Sequence, residues 1–405
     1  MKFFMIAGEP SGDRLGAALI KGFDKLLASP QNFIGIGGAH MIGLGFESQF
    51  PMEDISIMGV GEILSRYFFL KKRIAQTAKA VLEAKPDALI TIDLPEFNLR
   101  VAEIVSKNSA IPIIHYVAPT VWAWRPKRAE KMARFVDHVL ALLPFEPPYM
   151  TSVGMSCDFV GHPVVEEPVA SLSAAKAFRE SYSLGDVPVI LCLPGSRSSE
   201  IARLTPIFKK TLQKIKEQKP EVRVVLPAAA EVVSQQRALT YDWDEDIIFL
   251  DPRDQSPEQA LALKRAAFRA ADGALAASGT VSLELAANQT PMVIGYDMGW
   301  FSRQIIGRLV TTNTVTLVNL VSETLDVPEF IGSQCKSVNL EKALLEILAV
   351  PDRQLKAMNE TMNRLGKGAT RPGERAARSI LNFIDQGNYI KASRKRYPPK
   401  TEVLP

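Results

Sequence analysis

The stretch KFFMIAGEPSGD, residues 2–13, shows the pattern that decides the fold. Residues 2–7 are mostly apolar and predict a buried β-strand, and Gly8 and Gly12 permit a tight turn into a helix. This succession of a short apolar run, a turn and a longer amphipathic segment recurs along the chain. Such alternation is typical of βα units in a parallel sheet.

Two series of these units follow one another. The first predicts strands at 2–7, 32–36, 86–92, 111–117, 136–142 and 157–161, and helices at 12–26, 60–83, 97–108 and 127–135. The second predicts strands at 188–193, 222–227, 246–250, 273–277, 291–296 and 314–318, and helices at 199–218, 257–271 and 280–288. We therefore predict an α/β fold with two facing, doubly wound Rossmann-like domains and a helical C-terminal segment.

Changes in this rhythm mark the predicted domain boundaries. Residues 1–165 form the N-terminal Rossmann-like domain and residues 170–350 the C-terminal one, because VVEEP at 164–168 interrupts the alternation. The helices of 351–387 are expected to pack back on the N-terminal domain or on a partner. The basic tail 388–405 contains prolines and is expected to be flexible.

Composition excludes several classes of protein. The 405 residues are 47% hydrophobic and 23% charged, which excludes collagen, coiled coils and wholesale disorder. The net charge of +4 gives no case for nucleic-acid binding, and the three widely spaced cysteines predict neither a disulfide framework nor a zinc site. No apolar run reaches the ~18 residues of a bilayer span, and the opening run is too short for a secretory signal. We expect a cytoplasmic protein.

Asp93 ends the apolar run ALITI at 88–92, at the carboxyl end of a predicted strand. Ligands of doubly wound sheets bind beyond the carboxyl ends of the strands. Partial burial there raises the pKa of a carboxylic acid towards that of a useful general base. The alternative is an aspartate that only caps the next helix.

Two glycine turns also follow predicted strands, GEPSGD at 8–13 and GIGG at 35–38. Such turns can bring backbone N–H groups to a phosphate, and the alternative for the first is a helix cap by Ser11 or Asp13. The spacing is not GxGxxG, and no acidic residue follows about 20 residues later to hold a ribose. A nicotinamide or flavin site is therefore disfavoured.

The loop HYVAPTVWAWR at 115–125 combines two tryptophans with basic residues and a histidine. Aromatic faces suit sugar rings or acyl chains, and the basic residues suit a phosphate. A core position is the alternative for each tryptophan. The sequence shows no Ser-His-Asp arrangement, so a hydrolase is not supported.

Two turns of the second series suit a nucleoside diphosphate. The turn 195–197 follows a strand and precedes a helix, and its arginine can contact a phosphate through two N–H groups. It lacks the GK[ST] ending of a P-loop, which disfavours ATP hydrolysis. The turn 278–280 follows another strand, and Glu284 lies one helical turn further on, where a carboxylate suits the hydroxyls of a ribose. The alternative is an ordinary helix cap with a surface glutamate.

Segment 57–73 places apolar side chains beside four basic ones. Such a helix can rest on an anionic membrane or hold acyl chains, and the alternative is a core helix. The residues of this predicted patch are Val60, Ile63, Leu64, Tyr67 and Phe68. The sequence DWD at 242–244 imitates a metal-binding DxD but precedes its strand, so we predict no metal there.

These junctions, taken in order, resemble the lipid-A-disaccharide synthase family, inverting glycosyltransferases with the two-domain GT-B fold. The resemblance runs from about residue 7 to about residue 330. The motifs that carry it are IAGEPSGD, DISIMGVGEIL, IDLPEFN, HYVAPTVWAWRPKR, LLPFE, FVGHP, LPGSR and ASGTVSLE.

The resemblance implies that UDP-2,3-diacylglucosamine donates its sugar, with inversion, to 2,3-diacylglucosamine 1-phosphate, giving a β-1,6-linked tetraacyl disaccharide 1-phosphate and UDP. It implies an N-terminal acceptor domain with Asp93 as general base and Glu9 as a second functional acid, and a C-terminal UDP-sugar domain. By resemblance, the UDP-contacting positions with their adjoining turns are Gly195, Ser196, Arg197, Ser278, Gly279, Thr280, Glu284 and Asn319. It further implies no cofactor, a homodimer, and peripheral contact with the anionic inner face of the cytoplasmic membrane.

Two other functions stay open on the sequence. One is another UDP-sugar transferase or epimerase of the same fold, which a non-acylated acceptor would favour. The other is a non-catalytic nucleotide-sugar-binding or membrane-scaffold protein, which UDP binding without turnover would favour.

Overall fold

The computed structural model describes residues 1–56, 66–122, 127–243, 247–297 and 313–387. The chain forms two compact units. Unit 1 is Met1–Pro163 together with the chain from Gly368 onward, and unit 2 is Val164–Lys367.

Unit 1 is built on a seven-stranded parallel sheet with the order β3-β2-β1-β4-β5-β6-β7. Its strands are β1 (Lys2–Ala7), β2 (Asn32–Ile36), β3 (Glu47–Ser48), β4 (Ala88–Ile92), β5 (Ile113–Tyr116), β6 (His138–Ala141) and β7 (Ser156–Phe159). Its helices are α1 (Pro10–Leu26), α2 (Ala39–Ile42), α3 (Tyr67–Ala84), α4 (Pro95–Asn108), α5 (Lys127–Met132), α6 (Pro147–Thr151) and α15 (Pro372–Asp385).

Helices cover both faces of this sheet, which explains why its central strands β1 and β4 are almost wholly apolar and buried. Along β1, Phe3 and Met5 pack in the core cluster that contains α1 and α15 side chains. Phe4 and Ile6 alternate with them and pack with residues of α3 and α4. The two-residue period of a strand therefore supplies two separate layers of core.

Unit 2 is built on a six-stranded parallel sheet with the order β10-β9-β8-β11-β12-β13. Its strands are β8 (Val189–Leu193), β9 (Arg223–Pro227), β10 (Ile247–Leu250), β11 (Gly273–Ala276), β12 (Met292–Tyr296) and β13 (Glu329–Ile331). Its helices are α7 (Leu172–Ser181), α8 (Ser198–Gln218), α9 (Val233–Thr240), α10 (Pro257–Ala270), α11 (Val281–Asn288), α12 (Leu317–Ser322), α13 (Ser337–Ala349) and α14 (Asp352–Arg364).

The predicted α/β class with doubly wound parallel sheets is confirmed, and so are most strands. The predicted strand 314–318 is wrong, because its backbone is satisfied in another way. The N–H groups of Val315 and Thr316 donate to the Glu329 carboxylate, and α12 then begins at Leu317. One of the two edge strands of this sheet is the three-residue β13, which sequence patterning did not predict.

In both sheets the strand order reverses at one point, between β1 and β4 in unit 1 and between β8 and β11 in unit 2. Connections on either side of such a switch point run to opposite faces, which opens a crevice beyond the carboxyl ends of the two strands. The helices of 351–387 divide between the units, since α14 packs on α11 and α12 and α15 packs along α1.

Candidate active site

Asp93 directly follows β4 at the switch point of unit 1, and its side chain is half-buried. Burial raises the pKa of this carboxylic acid, while a hydrogen bond from the Leu94 N–H opposes the rise. This is the direction expected from the sequence. Asp93 does not cap the next helix, which was the alternative interpretation, since the N-cap residue of α4 is Leu94.

The turn at Asp93 has an unusual backbone. Both Asp93 and Leu94 lie in the left-handed region, with φ of 49° and 43°. The side chain of Asn98 donates to the carbonyl oxygens of Asp93, at 2.7 Å, and Ile92, at 3.0 Å. The Asp93 carboxylate is therefore held on a turn that the surrounding residues fix.

Glu9 follows β1, the strand that neighbours β4 across the switch point. It is half-buried and forms the N-cap position of α1 without a side-chain capping bond. Because parallel strands end at the same edge, Glu9 and Asp93 both lie at the carboxyl edge of this sheet. The structure thus places both predicted acids at the switch point.

Asp13 has a structural role that neither sequence interpretation described. Its buried carboxylate accepts hydrogen bonds from the N–H groups of Gly38, His40 and Met41 at 2.8–3.1 Å. The N–H groups of the second glycine turn and of the start of α2 therefore have a side-chain carboxylate as their hydrogen-bond acceptor. This leaves that turn unsuited to bind a phosphate.

The loop after β5 is held from within the unit. Trp122 is buried, and its indole N–H donates to the Glu146 carboxylate at 3.3 Å, while the N–H groups of Leu142 and Leu143 donate to the other carboxylate oxygen. Burial raises the pKa of Glu146 to about 7. Trp122 thus occupies a core position, which was the alternative interpretation for each tryptophan. Trp124 and Arg125 lie outside the described residues.

In unit 2 the turn 195–197 lies between β8 and α8, with Gly195 at a φ of 107°. Arg197 is largely exposed and its guanidinium lies 3.3 Å from the Glu200 carboxylate. That carboxylate also accepts from the N–H groups of Ser196 and Arg197 and from the Tyr296 hydroxyl. Glu200 therefore accepts hydrogen bonds from the N–H groups that the sequence predicts to bind a diphosphate.

The turn 278–280 lies between β11 and α11, directly across the switch point from the first turn. Ser278 is half-buried, Gly279 has a φ of 147°, and Thr280 is the exposed N-cap residue of α11. In the first turn of that helix, Glu284 pairs with Lys264 of α10 at 2.7 Å. The structure thus brings the two predicted diphosphate turns to neighbouring strand ends.

Asn319 lies apart from solvent in α12. Its amide N–H₂ donates to the Val327 carbonyl and the Thr314 hydroxyl, and its Oδ1 accepts from the Val327 N–H. The side chain closes the loop between α12 and β13. Its predicted contact with UDP stays a prediction.

The predicted apolar patch lies partly outside the described residues, since Val60, Ile63 and Leu64 fall in 57–65. At the start of α3, the side chains of Tyr67 and Phe68 are 46% and 84% exposed. Lys71 and Lys72 follow one turn later and are also exposed. Among the described residues, no helix has the length and apolarity to cross a bilayer.

Four further residues belong to these arrangements and were not predicted as site residues: Asn98, Glu146, Glu200 and Lys264. Glu200 had a detectable signal, since it lies three residues after Arg197, which is capping-box spacing. Lys264 and Glu284 are 20 residues apart, and nothing in the sequence pairs them. In the DWD motif, Asp242 pairs with Lys209 at 2.6 Å, and Asp244 lies outside the described residues.

Comparisons with known proteins point to one family over nearly the whole chain. A family model described as lipid-A-disaccharide synthetase matches residues 3–382. The lipid-A-disaccharide synthase of Ruegeria pomeroyi is 54% identical over 384 residues, which cover 95% of this chain and 96% of that protein. That of Rhodospirillum centenum is 42% identical over 386 residues, with 94% of each chain covered.

Solved structures share the fold at much lower identity. The S. aureus MnaA–UDP co-structure matches with a TM-score of 0.62 and 14% identity, covering 95% of this chain and 97% of that chain. The UDP-GlcNAc 2-epimerase from Neisseria meningitidis, bound to UDP-GlcNAc, matches with a TM-score of 0.62 and 12% identity, covering 94% of this chain and 100% of that one. At such identities the likeness concerns the fold alone.

Proposed function

The chain belongs to the lipid-A-disaccharide synthase family, and from this premise we propose that Asp93 is the general base of a sugar transfer from a UDP-linked donor to a glycolipid acceptor. The family and the glycosyltransferase activity predicted from the sequence are confirmed. The proposed donor is UDP-2,3-diacylglucosamine, and the proposed acceptor is 2,3-diacylglucosamine 1-phosphate.

In the proposed step, the Asp93 carboxylate takes the proton of the acceptor hydroxyl while the hydroxyl oxygen attacks the anomeric carbon of the donor. The bond from that carbon to the diphosphate breaks, UDP leaves with the electron pair, and the configuration inverts. The observation that supports this role is the position of Asp93 at the switch point, half-buried and with a raised pKa. A raised pKa brings a carboxylate closer to an effective base at neutral pH.

The donor diphosphate is proposed to bind at the two turns of unit 2. Arg197 and the N-termini of α8 and α11 supply positive charge and N–H donors for the leaving group. Glu284 is proposed to accept hydrogen bonds from the ribose hydroxyls. Diphosphate binding then requires the Glu200 carboxylate to release the N–H groups of Ser196 and Arg197.

The test is a product assay by mass spectrometry with the diacylated donor and acceptor. We expect Asp93→Asn to lower kcat by about 10²–10⁴-fold, the usual contribution of a general base, with the Kd for UDP within about twofold of the wild type. Asp87→Asn is the matched control, because Asp87 precedes the same strand at its opposite end. Wild-type turnover in Asp93→Asn would remove Asp93 from the mechanism. An epimerised donor without disaccharide would instead indicate the epimerase alternative.

Tyr67 and Phe68 are proposed to contact an anionic membrane, with Lys71 and Lys72 near the headgroups. Moving a phenylalanine from water into an apolar layer contributes about 1.5–3 kcal/mol, so we expect Phe68→Ser to weaken sedimentation with phosphatidylglycerol vesicles on the order of tenfold. Tyr241→Ser is the control, because Tyr241 is equally exposed at 85% but belongs to unit 2. Equal losses in both variants would contradict a specific membrane contact.

The predicted homodimer stays a prediction, which light scattering tests.

A further inference from the structure

The turn that carries Asp93 places two successive residues in the left-handed backbone region, which Leu94 in particular does not favour. Asp93 and Leu94 have φ values of 49° and 43°, and neither residue is glycine. Side chains with a Cβ rarely occupy the left-handed region, and two successive residues there need support from their surroundings. The question is therefore what holds this turn.

Leu94 is held by packing on one side of the turn. A Cβ placed on Gly8 would lie 2.2 Å from Cδ2 of Leu94 and 3.2 Å from Cδ1 of Ile55. The absence of a side chain at Gly8 thus leaves the space that Leu94 fills. Packing alone fixes the Leu94 side chain but leaves the Asp93 carbonyl to be oriented.

The Asp93 carbonyl is oriented by Asn98, in the first turn of α4. Asn98 is completely buried, and its Nδ2 lies 2.7 Å from the carbonyl oxygen of Asp93, 3.0 Å from that of Ile92 and 3.5 Å from that of Ile6. Three carbonyl oxygens around one amide nitrogen fix the orientation of the amide group. The side chain thus joins the ends of β1 and β4 to the turn.

The other end of the amide shows why an asparagine is present. The Oδ1 of Asn98 has no hydrogen-bond partner among the residues that the structure describes. A buried acceptor without a partner costs stability, and an apolar side chain would avoid this cost. The hydrogen bonds that the Asn98 amide donates to the backbone therefore offset the cost of its unpaired oxygen.

We propose that Asn98 is a positioning residue for the reaction, which holds the Asp93 carboxylate in place through the backbone of its turn. This inference rests on the proposed role of Asp93 as the base. The three carbonyl oxygens that Asn98 contacts, those of Ile6, Ile92 and Asp93, all belong to unit 1, whereas the proposed donor site belongs to unit 2. The loss of Asn98 should therefore lower turnover without weakening UDP binding.

The experiment combines Asn98→Ala with Asp93→Asn and measures kcat, the KM of the acceptor and the Kd of UDP. We expect Asn98→Ala to lower kcat about tenfold or more, with the Kd of UDP within about twofold, and Asn98→Ser, which keeps one donor, to fall between Asn98→Ala and the wild type. In the Asp93→Asn background, Asn98→Ala should change the residual rate by less than about twofold, because it acts through Asp93.

Asn108→Ala is the matched control, because Asn108 lies at the exposed end of the same helix and its side chain donates to the Ile104 carbonyl of that helix. Its kcat should stay within about twofold of the wild type. If Asn98→Ala does not fold, the comparison of Asn98→Ser with Asn108→Ser replaces it. Wild-type kcat in a folded Asn98 variant, or an equal loss in both backgrounds, would overturn the inference. Wild-type turnover in Asp93→Asn would instead reject the base itself.

Discussion

At the scale of single residues, the proposed donor half of the site contains an ion pair that sequence patterns do not reveal. Lys264 lies 2.7 Å from Glu284, and its ammonium group is 5.1 Å from the centre of the Phe268 ring. Both charged side chains are partly exposed, so the pair contributes modestly, on the order of 0.2–1 kcal/mol. The pair holds the Glu284 carboxylate beside Lys264 at the start of α11.

This pair gives a prediction about nucleotide affinity. Lys264→Met should weaken UDP binding about two- to fivefold in titration calorimetry, because Glu284, the carboxylate proposed to bind the ribose, loses its ion-pair partner. Lys176→Met is the control, since Lys176 pairs with Glu180 on the surface helix α7 of the same unit. Tighter binding in Lys264→Met would show that the lysine competes with the ribose for Glu284.

At the scale of elements, the close approach of α1 and α15 depends on glycines. A Cβ on Gly22 would lie 2.3 Å from the carbonyl oxygen of Gly373, and a Cβ on Gly373 would lie 2.3 Å from that of Ala18. The obstructing atoms belong to the backbone, which cannot move aside as a flexible side chain can. The two helices therefore approach each other backbone to backbone.

Replacing these glycines tests the packing of the element. In a helix interior, Gly→Ala ordinarily stabilises by about 0.5–1 kcal/mol. We expect Gly22→Ala to destabilise unit 1 by about 1–3 kcal/mol, because the new methyl group overpacks the helix crossing. Gly12→Ala is the control in the same helix, since a Cβ there meets its nearest neighbours at 3.6 Å. Urea unfolding checks both variants, and equal midpoints would contradict the crossing described above.

At the scale of the whole molecule, buried histidines should make stability depend on pH. Burial lowers the pKa of His115 to about 3 and the pKa values of His138 and His162 to about 4. The unfolded chain, with pKa values near 6.5, then binds protons more tightly than the folded chain as the pH falls. Each of these histidines therefore destabilises the fold increasingly below pH ~6.5.

Glu146 works in the opposite direction over part of this range. Since its pKa is raised to about 7 in the folded chain, its contribution to stability grows as the pH falls from 7 towards 4.5. Three histidines oppose two acids, Glu146 and Asp93, since burial raises the pKa of Asp93 as well. The net stability should therefore fall between pH 7.5 and pH 5.

The corresponding measurement is the urea midpoint at pH 7.5 and pH 5. We expect a lower midpoint at pH 5, with each buried histidine responsible for on the order of 1–2 kcal/mol. His138→Gln should reduce the difference between the two pH values, because it removes one titrating group. His40→Gln, at an exposed position, should leave the difference unchanged. A midpoint that rises on acidification would contradict this assignment.

The sequence by itself determined the class of the fold and which residues lie at the carboxyl ends of its strands. Apolar runs such as 2–7 and 88–92 become strands covered on both faces. Successive side chains of a strand point to opposite faces, so a run of consecutive apolar residues is removed from water only when both faces are buried. A residue that directly follows such a strand, as Asp93 does, must lie at the carboxyl edge of a parallel sheet. The motif order then indicated the family.

The tertiary structure alone decided what holds these residues in place. Asn98 bonds to the end of β1, which is 92 positions away in the chain, and Lys264 meets Glu284 across two helices. The failed strand at 314–318 has the same origin, since Glu329 from a later strand takes its N–H groups. Local periodicity encodes which side chains are buried, but the partner of a buried polar group depends on which distant segments the packed sheet brings together.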